Sequence, residues 1–310
     1  MRILFMGTPD FALFTLRALL ESGREVVGVV TQPDKPRGRG YALLPPPVKA
    51  YAVEKGLAVY QPETLKDSAF DETLRALAPD VIVVVAYGKI LPQAVLDFPR
   101  YGCINVHGSL LPAYRGAAPM QRAIIDGCAE TGVTTMQMAA GLDTGDMLVK
   151  RAVAIGENDN FEDIHDRLGA VGAEALLETL DLLERGELHP VVQDGAKATY
   201  AAKIEKADCL LDFTKSARQV HDRVRGLSPI PLAFTHTPDG KLLKVVESRV
   251  GRGDNRGAAA GTVLALGDTV TVACGEGTVE LLRLLPEGKG RMSAADYVRG
   301  RRIAVGDILK

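Results

Sequence analysis

The sequence predicts an α/β protein in which a doubly wound N-terminal domain precedes a smaller β-rich domain. Short apolar runs alternate with amphipathic helical stretches through the first half of the chain, as in folds built on a parallel sheet. The run Val81–Val85 is apolar at every position, as expected of a central strand that is buried on both faces. Beyond about residue 206, short alternating segments separated by Gly and Asp indicate a second, mostly β domain.

The elements of the first domain follow from periodicity and punctuation. Residues 2–6 are apolar apart from Arg2 and end at Gly7, which predicts a buried strand followed by a turn. Residues 11–22 carry apolar side chains at helical spacing and stop at Gly23, which predicts a helix. The same reasoning predicts strands at 26–30, 81–85, 103–107 and 134–138, and helices at 93–98, 116–126 and 161–184.

The rest of the chain is predicted to be a linker and a small barrel. Residues 186–205 mix Gly, Pro and polar residues without periodicity, which indicates a linker. A helix at 217–226 precedes short strands at 241–246, 261–265, 269–273 and 278–285, at a spacing typical of small β-barrels. We therefore divide the chain into a first domain of residues 1–188, a linker of 189–206 and a barrel domain of 207–310.

Composition is that of a soluble globular protein. The chain has 310 residues, of which 46% are hydrophobic and 25% charged. No apolar run approaches the roughly 18 residues that would cross a membrane, and Thr8, Pro9 and Asp10 interrupt the short apolar start. Four cysteines without a Cys-x-x-Cys pair argue against a zinc site and a disulfide framework. We expect a cytoplasmic, monomeric protein without a bound metal.

The two halves differ in charge. Residues 1–205 hold 20 Lys and Arg against 27 Asp and Glu, a net charge of −7. Residues 206–310 hold 17 against 12, a net charge of +5. This split indicates either an anionic partner for the second half or a solvated surface, and charge alone leaves both open.

Asn105, His107 and Asp143 form the most informative pattern in the chain. Asn105 and His107 are two positions apart, so on a strand their side chains point to one face. Asp143 lies in a later, glycine-bounded turn. Together the three groups can manage a tetrahedral intermediate of acyl transfer. The amide donates to the oxyanion, the imidazole moves a proton, and the carboxylate orients the imidazole and favours its charged form.

Two other segments are open to a structural and a functional interpretation. The Pro-, Gly- and Arg-rich residues 33–48 exclude regular structure, and they form either a solvated surface loop or a mobile arm that grips phosphate. The apolar pair Leu110 and Leu111, held by Pro112, either packs in the ordinary way or walls a flat heterocycle.

Several longer motifs together resemble the folate-dependent formyltransferase family over essentially the whole chain. They are Met6-Gly7-Thr8-Pro9-Asp10-Phe11, Val85-Ala86-Tyr87-Gly88, the run from Asn105 to Pro112, Leu142-Asp143-Thr144-Gly145-Asp146-Met147 and Thr199-Tyr200-Ala201. The resemblance implies a Rossmann-like N-terminal domain, an OB-like C-terminal β-barrel and 10-formyltetrahydrofolate as formyl donor. The arginine-rich loop and the C-terminal domain point to the tRNA-directed branch, whose acceptor is the amino group of methionyl initiator tRNA.

The resemblance also implies roles for particular residues. Asn105 and His107 would stabilise the oxyanion, and Asp143 would assist removal of a proton from the amine. Arg37 and Arg39 would contact the tRNA, with Arg39 at the acceptor stem. The folate would lie along Ser109, Leu110, Leu111 and Pro112.

Three other functions are weighed against this hypothesis. A formyltetrahydrofolate hydrolase or a sugar-nucleotide formyltransferase would keep the three polar residues without needing a basic barrel. A nicotinamide-dependent oxidoreductase is disfavoured, because Asp10 and Ala12 stand where a dinucleotide-binding turn carries its second and third glycines. A nucleic-acid-binding module with an inactive enzyme domain is disfavoured by the complete set of three polar residues. Ala113 and Ile230 depart from the basic residue and the Trp that the family often has.

Overall fold

We describe residues 1–37 and 42–310 of the chain in a computed structural model. The chain forms two compact units, each assembled from separate stretches of sequence. Unit 1 comprises residues 1–116, 132–153 and 165–200, and unit 2 comprises residues 117–131, 154–164 and 201–310. The predicted boundaries at 188 and 206 stay a prediction.

The strands and helices alternate through the first part of the chain, and strands dominate the last part. The strands are β1 Arg2–Gly7, β2 Glu25–Val30, β3 Lys35–Arg37, β4 Ala42–Leu44, β5 Val59–Tyr60, β6 Val81–Val85, β7 Cys103–His107, β8 Arg115–Gly116, β9 Glu130–Gln137, β10 Met147–Ala154, β11 Tyr200–Ala201, β12 Ala233–His236, β13 Leu242–Val250, β14 Val263–Leu266, β15 Val270–Ala273, β16 Thr278–Pro286 and β17 Met292–Ser293. The α-helices are α1 Phe11–Glu21, α2 Pro47–Glu54, α3 Ser68–Leu77, α4 Gln93–Leu96, α5 Pro119–Ile125, α6 Phe161–Arg185, α7 Ala217–Gly226 and α8 Ala294–Arg299.

Unit 1 is built on a seven-stranded sheet with the order β10-β9-β7-β6-β1-β2-β5. β1 is parallel to β2 and β6, and β6 is parallel to β7, while β9 runs antiparallel to β7. Every residue of β6 is buried, so both faces of the central strand are covered, which explains its unbroken apolar sequence. This confirms the predicted α/β fold with a parallel central sheet. The carboxyl ends of β6 and β7 lie at one edge of that sheet.

Helix boundaries in unit 1 follow local capping signals. The carboxylate of Asp10 accepts a hydrogen bond from the Phe11 amide at the start of α1, and Gly23, with φ +72°, follows its last turn. Helix α3 begins after Asp67, whose side chain accepts from the Phe70 amide. This helix was not predicted, although Phe70 and Leu74 show the four-residue spacing of a buried helical face.

The prediction that residues 33–48 exclude regular structure is wrong in part. Lys35–Arg37 pairs with Ala42–Leu44 as an antiparallel hairpin, and α2 begins at Pro47. A proline is tolerated in the two-stranded hairpin because each strand has a free edge, where a missing N–H breaks no ladder. Proline at the first helical position is likewise favourable, because that amide has no partner within the helix.

Unit 2 contains a six-stranded antiparallel sheet with the order β12-β13-β16-β15-β14, with β17 also paired to β16. Its core is a separate apolar cluster that includes Val220 and Val224 from α7 and Val245 and Leu281 from the sheet. Helix α7 spans the predicted residues and opens with a capping box between Ser216 and Gln219. The prediction of a β-rich C-terminal domain is confirmed, and its sheet is antiparallel. Among the described residues no pairing closes it into a barrel.

One further property concerns membranes. In the described part of the chain, no α-helix is both long enough and apolar enough to cross a bilayer.

Candidate active site

Strand β7 carries the first two residues of the site. Asn105 and His107 are two positions apart on one strand, so their side chains point to one face of the sheet. The His107 side chain is nearly buried, at 6% residue exposure, whereas Asn105 is half-buried. Within the described residues the side-chain amide of Asn105 makes no hydrogen bond. Its donors are therefore free for a bound group.

The imidazole of His107 is held between a carbonyl and a carboxylate. Nε2 lies 3.0 Å from the backbone oxygen of Tyr114. Since a carbonyl can only accept, Nε2 carries a proton in this contact. Nδ1 lies 3.7 Å from Oδ2 of Asp143. Nδ1 is therefore the ring atom that can take up or release a proton, with a carboxylate beside it.

Asp143 lies in the loop between β9 and β10, in a left-handed backbone conformation with φ +50°. Its Oδ2 accepts a hydrogen bond of 2.7 Å from the amide of Gly116. Two residues on, a Cβ placed on Gly145 would lie 1.7 Å from the backbone oxygen of Gln137. Only glycine fits there, so the turn that presents Asp143 depends on Gly145.

Buried side chains and hydrogen bonds hold the segment that follows β7. Ser109 and Leu111 are fully buried, and the Ser109 hydroxyl donates to the backbone oxygen of Ala113 at 2.6 Å. The Thr134 hydroxyl accepts from the Leu111 amide at 3.1 Å and donates to the Ser109 carbonyl at 2.7 Å. Leu110 and Pro112 are only half-buried and keep apolar surface available. These hydrogen bonds hold the segment in place while part of its apolar surface stays exposed. We call residues 109–112 the ledge.

The turn that follows β6 lies at the same edge of the sheet. The backbone oxygen of Tyr87 accepts from the Thr8 hydroxyl at 3.0 Å and from Nε2 of Gln32 at 3.1 Å. Burial raises the pKa of the Tyr87 phenol to about 12, so it stays neutral at physiological pH. The carboxyl ends of β1, β2 and β6 are thereby tied together beside the end of β7.

The arrangement combines an available amide donor, an imidazole beside a carboxylate and an apolar ledge. These groups suit proton transfer and oxyanion stabilisation during acyl transfer. Thiolate chemistry is disfavoured at Cys103 and Cys274, because burial raises the thiol pKa of Cys103 to about 12 and that of Cys274 to about 11. In the described ranges no group of three His, Cys, Asp or Glu side chains could hold a metal ion.

Comparison with protein families agrees with this chemistry. Residues 1–180 match the model described as "Formyl transferase", and residues 203–302 match "Formyl transferase, C-terminal domain". The chain belongs to the formyl transferase family. The resemblance inferred from the motifs is confirmed.

Two curated relatives of this formyl transferase match it over nearly the full length of both chains. The methionyl-tRNA formyltransferase of Geotalea uraniireducens is 50% identical over 309 residues, which cover 100% of this chain and 98% of the relative. The methionyl-tRNA formyltransferase of Geobacter sulfurreducens is 50% identical over 307 residues, which cover 99% of this chain and 96% of the relative.

Solved structures with this fold are more distant in sequence. An N-formyltransferase from Helicobacter canadensis, in complex with folinic acid and dTDP-3-aminofucose, has a TM-score of 0.69 at 17% identity, and the match covers 90% of this chain and 98% of that one. HypX from Aquifex aeolicus, in complex with tetrahydrofolic acid, has a TM-score of 0.64 at 19% identity. That match covers 96% of this chain and 47% of HypX, so the chain spans about half the length of HypX.

The predicted site residues of this formyl transferase differ in where the structure places them. His107 and Asp143 are brought together, and Asn105 shares the strand of His107. Ser109, Leu110, Leu111 and Pro112 follow directly after that strand. The backbone of Arg37 ends β3, and Arg39 lies outside the described residues.

Sequence reasoning missed Gln193 and Thr199 of the formyl transferase. Both lie in the predicted linker, yet they contact the site. The Thr199 hydroxyl accepts from the Tyr114 amide at 2.8 Å, and the Thr199 carbonyl accepts from the Arg115 amide at 2.8 Å. The one available signal was the motif Thr199-Tyr200-Ala201, which the resemblance included. A lone glutamine carried none.

A cavity of about 640 Å³ in unit 2 is distinct from these residues. Four basic and four acidic side chains line it. Several of them pair with one another, including Arg218 with Glu157 at 2.8 Å and Arg225 with Asp222 at 2.6 Å. A mutually neutralised lining offers little to a charged ligand.

Proposed function

We propose that this formyl transferase moves the formyl group of 10-formyltetrahydrofolate to the free amino group of methionyl initiator tRNA. The product is formylmethionyl-tRNA for translation initiation. The observation that carries the proposal is the contact of His107 with Asp143, beside Asn105, in a chain 50% identical over its whole length to a named methionyl-tRNA formyltransferase.

Three residues divide the chemistry. The amine nitrogen attacks the formyl carbon, and the carbonyl oxygen becomes an oxyanion. The free side-chain amide of Asn105 donates a hydrogen bond to that oxyanion, and the positive charge of a protonated His107 stabilises it electrostatically, as such groups do in acyl transfer. Asp143 stabilises the protonated ring across 3.7 Å and assists removal of the amine proton. The bond from the formyl carbon to N10 then breaks, and the proton ends on N10 of tetrahydrofolate.

The ledge after β7 supports folate binding. Leu110 and Pro112 present apolar surface suited to a flat heterocycle, while Ser109 and Leu111 hold the ledge from inside. We assign the folate to this segment, with the buried pair acting through backbone position.

The C-terminal residues support tRNA binding. Residues 206–310 carry a net charge of +5. Several of their exposed basic side chains lie between β16 and the end of α8 or just beyond it. These are Lys289, Arg291, Arg299, Arg301 and Arg302. We propose that residues 207–310 form an OB-like barrel that contacts phosphates, joined by the linker 189–206 to the catalytic residues 1–188. Arg37 and Arg39 are proposed to contact the tRNA, with Arg39 at the acceptor stem, and the protein is proposed to act as a cytoplasmic monomer.

The deciding experiment is incubation of the protein with labelled formyl-folate, with and without methionyl initiator tRNA. We expect label on the tRNA-bound amine and no release of free formate. Free formate without tRNA would indicate a hydrolase. Label on an amino sugar nucleotide but not on tRNA would indicate the sugar-directed branch. A deacylated tRNA control shows that the aminoacyl group receives the label.

A further inference from the structure

Gln193 forms four hydrogen bonds that link two parts of the site. Its Nε2 donates to the backbone oxygen of Asp143 at 2.8 Å and to that of Gly145 at 2.7 Å. Its Oε1 accepts from Nε of Arg115 at 3.1 Å and from Nη2 at 2.8 Å. A glutamine amide has two donors and two acceptor positions, so every one of them is used.

The orientation of the Gln193 amide follows from its neighbours. A guanidinium can only donate, so the amide oxygen must face Arg115. A backbone carbonyl can only accept, so the amide nitrogen must face Asp143 and Gly145. Both side chains are buried, with 8% of Gln193 and 6% of Arg115 exposed, so water competes little for these bonds.

The contacts close a ring around the carboxylate of Asp143. Gly116, which follows Arg115, donates its amide to Oδ2 of Asp143 at 2.7 Å. Gln193 holds the backbone of the same aspartate and is itself held by Arg115. Asp143 is thus tied at its side chain and at its main chain to one short strand, β8.

The predicted linker is anchored at the same place. The amide of Val191 donates to the carbonyl of Met147 at 2.8 Å, and the Met147 amide donates back at 2.9 Å. Gln193 therefore enters the site from a segment that is fixed to the start of β10. Among the residues that the structure describes, no carboxylate pairs with Arg115, so Gln193 is the group that satisfies this buried cation.

We propose that Arg115 and Gln193 are positioning residues, which set the place of Asp143 relative to His107 for formyl transfer. This inference rests on the proposed function of the site. Asp143 adopts a left-handed conformation that an aspartate does not prefer, so the surrounding bonds must hold it there. A shift of about 1 Å at a catalytic group can reduce the rate on the order of a hundredfold.

The sharpest test is Gln193→Glu. The change keeps the size of the side chain and its contact with Arg115, but it removes both donors and sets a carboxylate against two carbonyl oxygens. We expect kcat for formyl transfer to fall on the order of tenfold to a hundredfold, with KM for folate changed by less than about threefold. Gln193→Met, which removes all four bonds without adding charge, should also lower kcat. Gln93→Glu, at the exposed first position of α4, is the matched control and should keep full activity.

A double-mutant cycle separates positioning from a general loss of structure. If Gln193 acts through the Asp143 carboxylate, Gln193→Glu should lower kcat by less than about twofold in an Asp143→Asn background. If the double variant loses kcat by the product of the two single-variant factors, the proposal is overturned. A folded Gln193→Glu protein with wild-type kcat would also overturn it. Thermal melting identifies any variant that fails to fold. If Gln193→Glu does not fold, the cycle is run with Gln193→Met, and if neither does, with Arg115→Lys, under the same criterion.

The proposed function can fail separately. If the unaltered protein releases formate rather than formylating methionyl-tRNA, the acceptor is wrong. The four proteins of the double-mutant cycle are the wild type, Gln193→Glu, Asp143→Asn and the double variant. Their rates of formate release are then compared, because the positioning role concerns Asp143 and is independent of the acceptor.

Discussion

Nδ1 of His107 lies 3.7 Å from Oδ2 of Asp143, while Nε2 of the same ring lies 3.0 Å from the carbonyl of Tyr114. One ring nitrogen is thereby committed to a backbone contact, and the other faces the carboxylate across a gap slightly longer than a hydrogen bond. The gap suits a pair that closes when the ring becomes charged or when substrate enters.

The three polar residues should each be needed for turnover. Asn105→Ala, His107→Ala and Asp143→Ala are expected to lower kcat by at least about a hundredfold, because each removes an oxyanion donor or a proton-transfer group. Folate binding, followed by fluorescence titration, should change much less. A folded single variant with near wild-type kcat would show that its assigned role is wrong.

Acid should destabilise unit 2 through His221. Burial lowers the pKa of His221, the hydrogen bond from its Nε2 to the Glu157 carbonyl opposes this, and Arg225 adds to the lowering. The unfolded chain, with an ordinary histidine pKa of about 6.5, binds a proton more readily than the folded chain. The stability that depends on neutral His221 is therefore complete above about pH 6.5 and is lost as pH falls below it.

The measurement is Tm across about pH 5 to pH 8. His221→Gln should have a flatter profile than the wild type, whereas His189→Gln, at an exposed position, should leave the profile unchanged. Parallel profiles for wild type and His221→Gln would refute this account.

A single substitution after α3 should stabilise the protein. Ala78 caps α3 in a left-handed conformation with φ 41°, which costs a residue with a Cβ more than it costs glycine. We expect Ala78→Gly to raise the free energy of unfolding by about 0.5–1 kcal/mol, since the relief of strain exceeds the added entropy of the unfolded chain. Ala76→Gly lies within the same helix and should instead destabilise by up to about 1 kcal/mol. Equal signs in denaturant titrations would contradict the argument.

The exposed basic residues near the C-terminus should contribute salt-dependent tRNA affinity. Arg301→Gln combined with Arg302→Gln should weaken tRNA binding and reduce the slope of log K against log salt by up to about 0.9 per lost phosphate contact. Arg75→Gln, on the exposed face of α3, serves as the control. An unchanged slope would exclude these two arginines from the tRNA interface. The KM for folate should be the same in all three proteins.

Local patterns in the sequence were enough to predict the strand that carries Asn105 and His107. Strand β7 and the common face of Asn105 and His107 follow from a two-residue repeat, which is a property of any strand. Helix α7 matched its prediction residue for residue because its apolar period coincides with a capping box. The hairpin of β3 and β4 was missed, because proline counts against a strand unless the strand is known to lie at an edge.

By itself the sequence determined the α/β fold, the β-rich character of the C-terminal domain and the choice of the three polar residues. The motifs that contain these three residues are long, and the chemistry of an amide, an imidazole and a carboxylate can be inferred from the sequence. Tertiary structure alone decided that Gln193, 50 residues from Asp143, holds the turn of that aspartate and accepts two hydrogen bonds from Arg115. The physical reason is that a buried amide has no periodic signature. Its partners are set by where two distant backbone segments meet, and only the folded chain brings those segments within hydrogen-bonding distance.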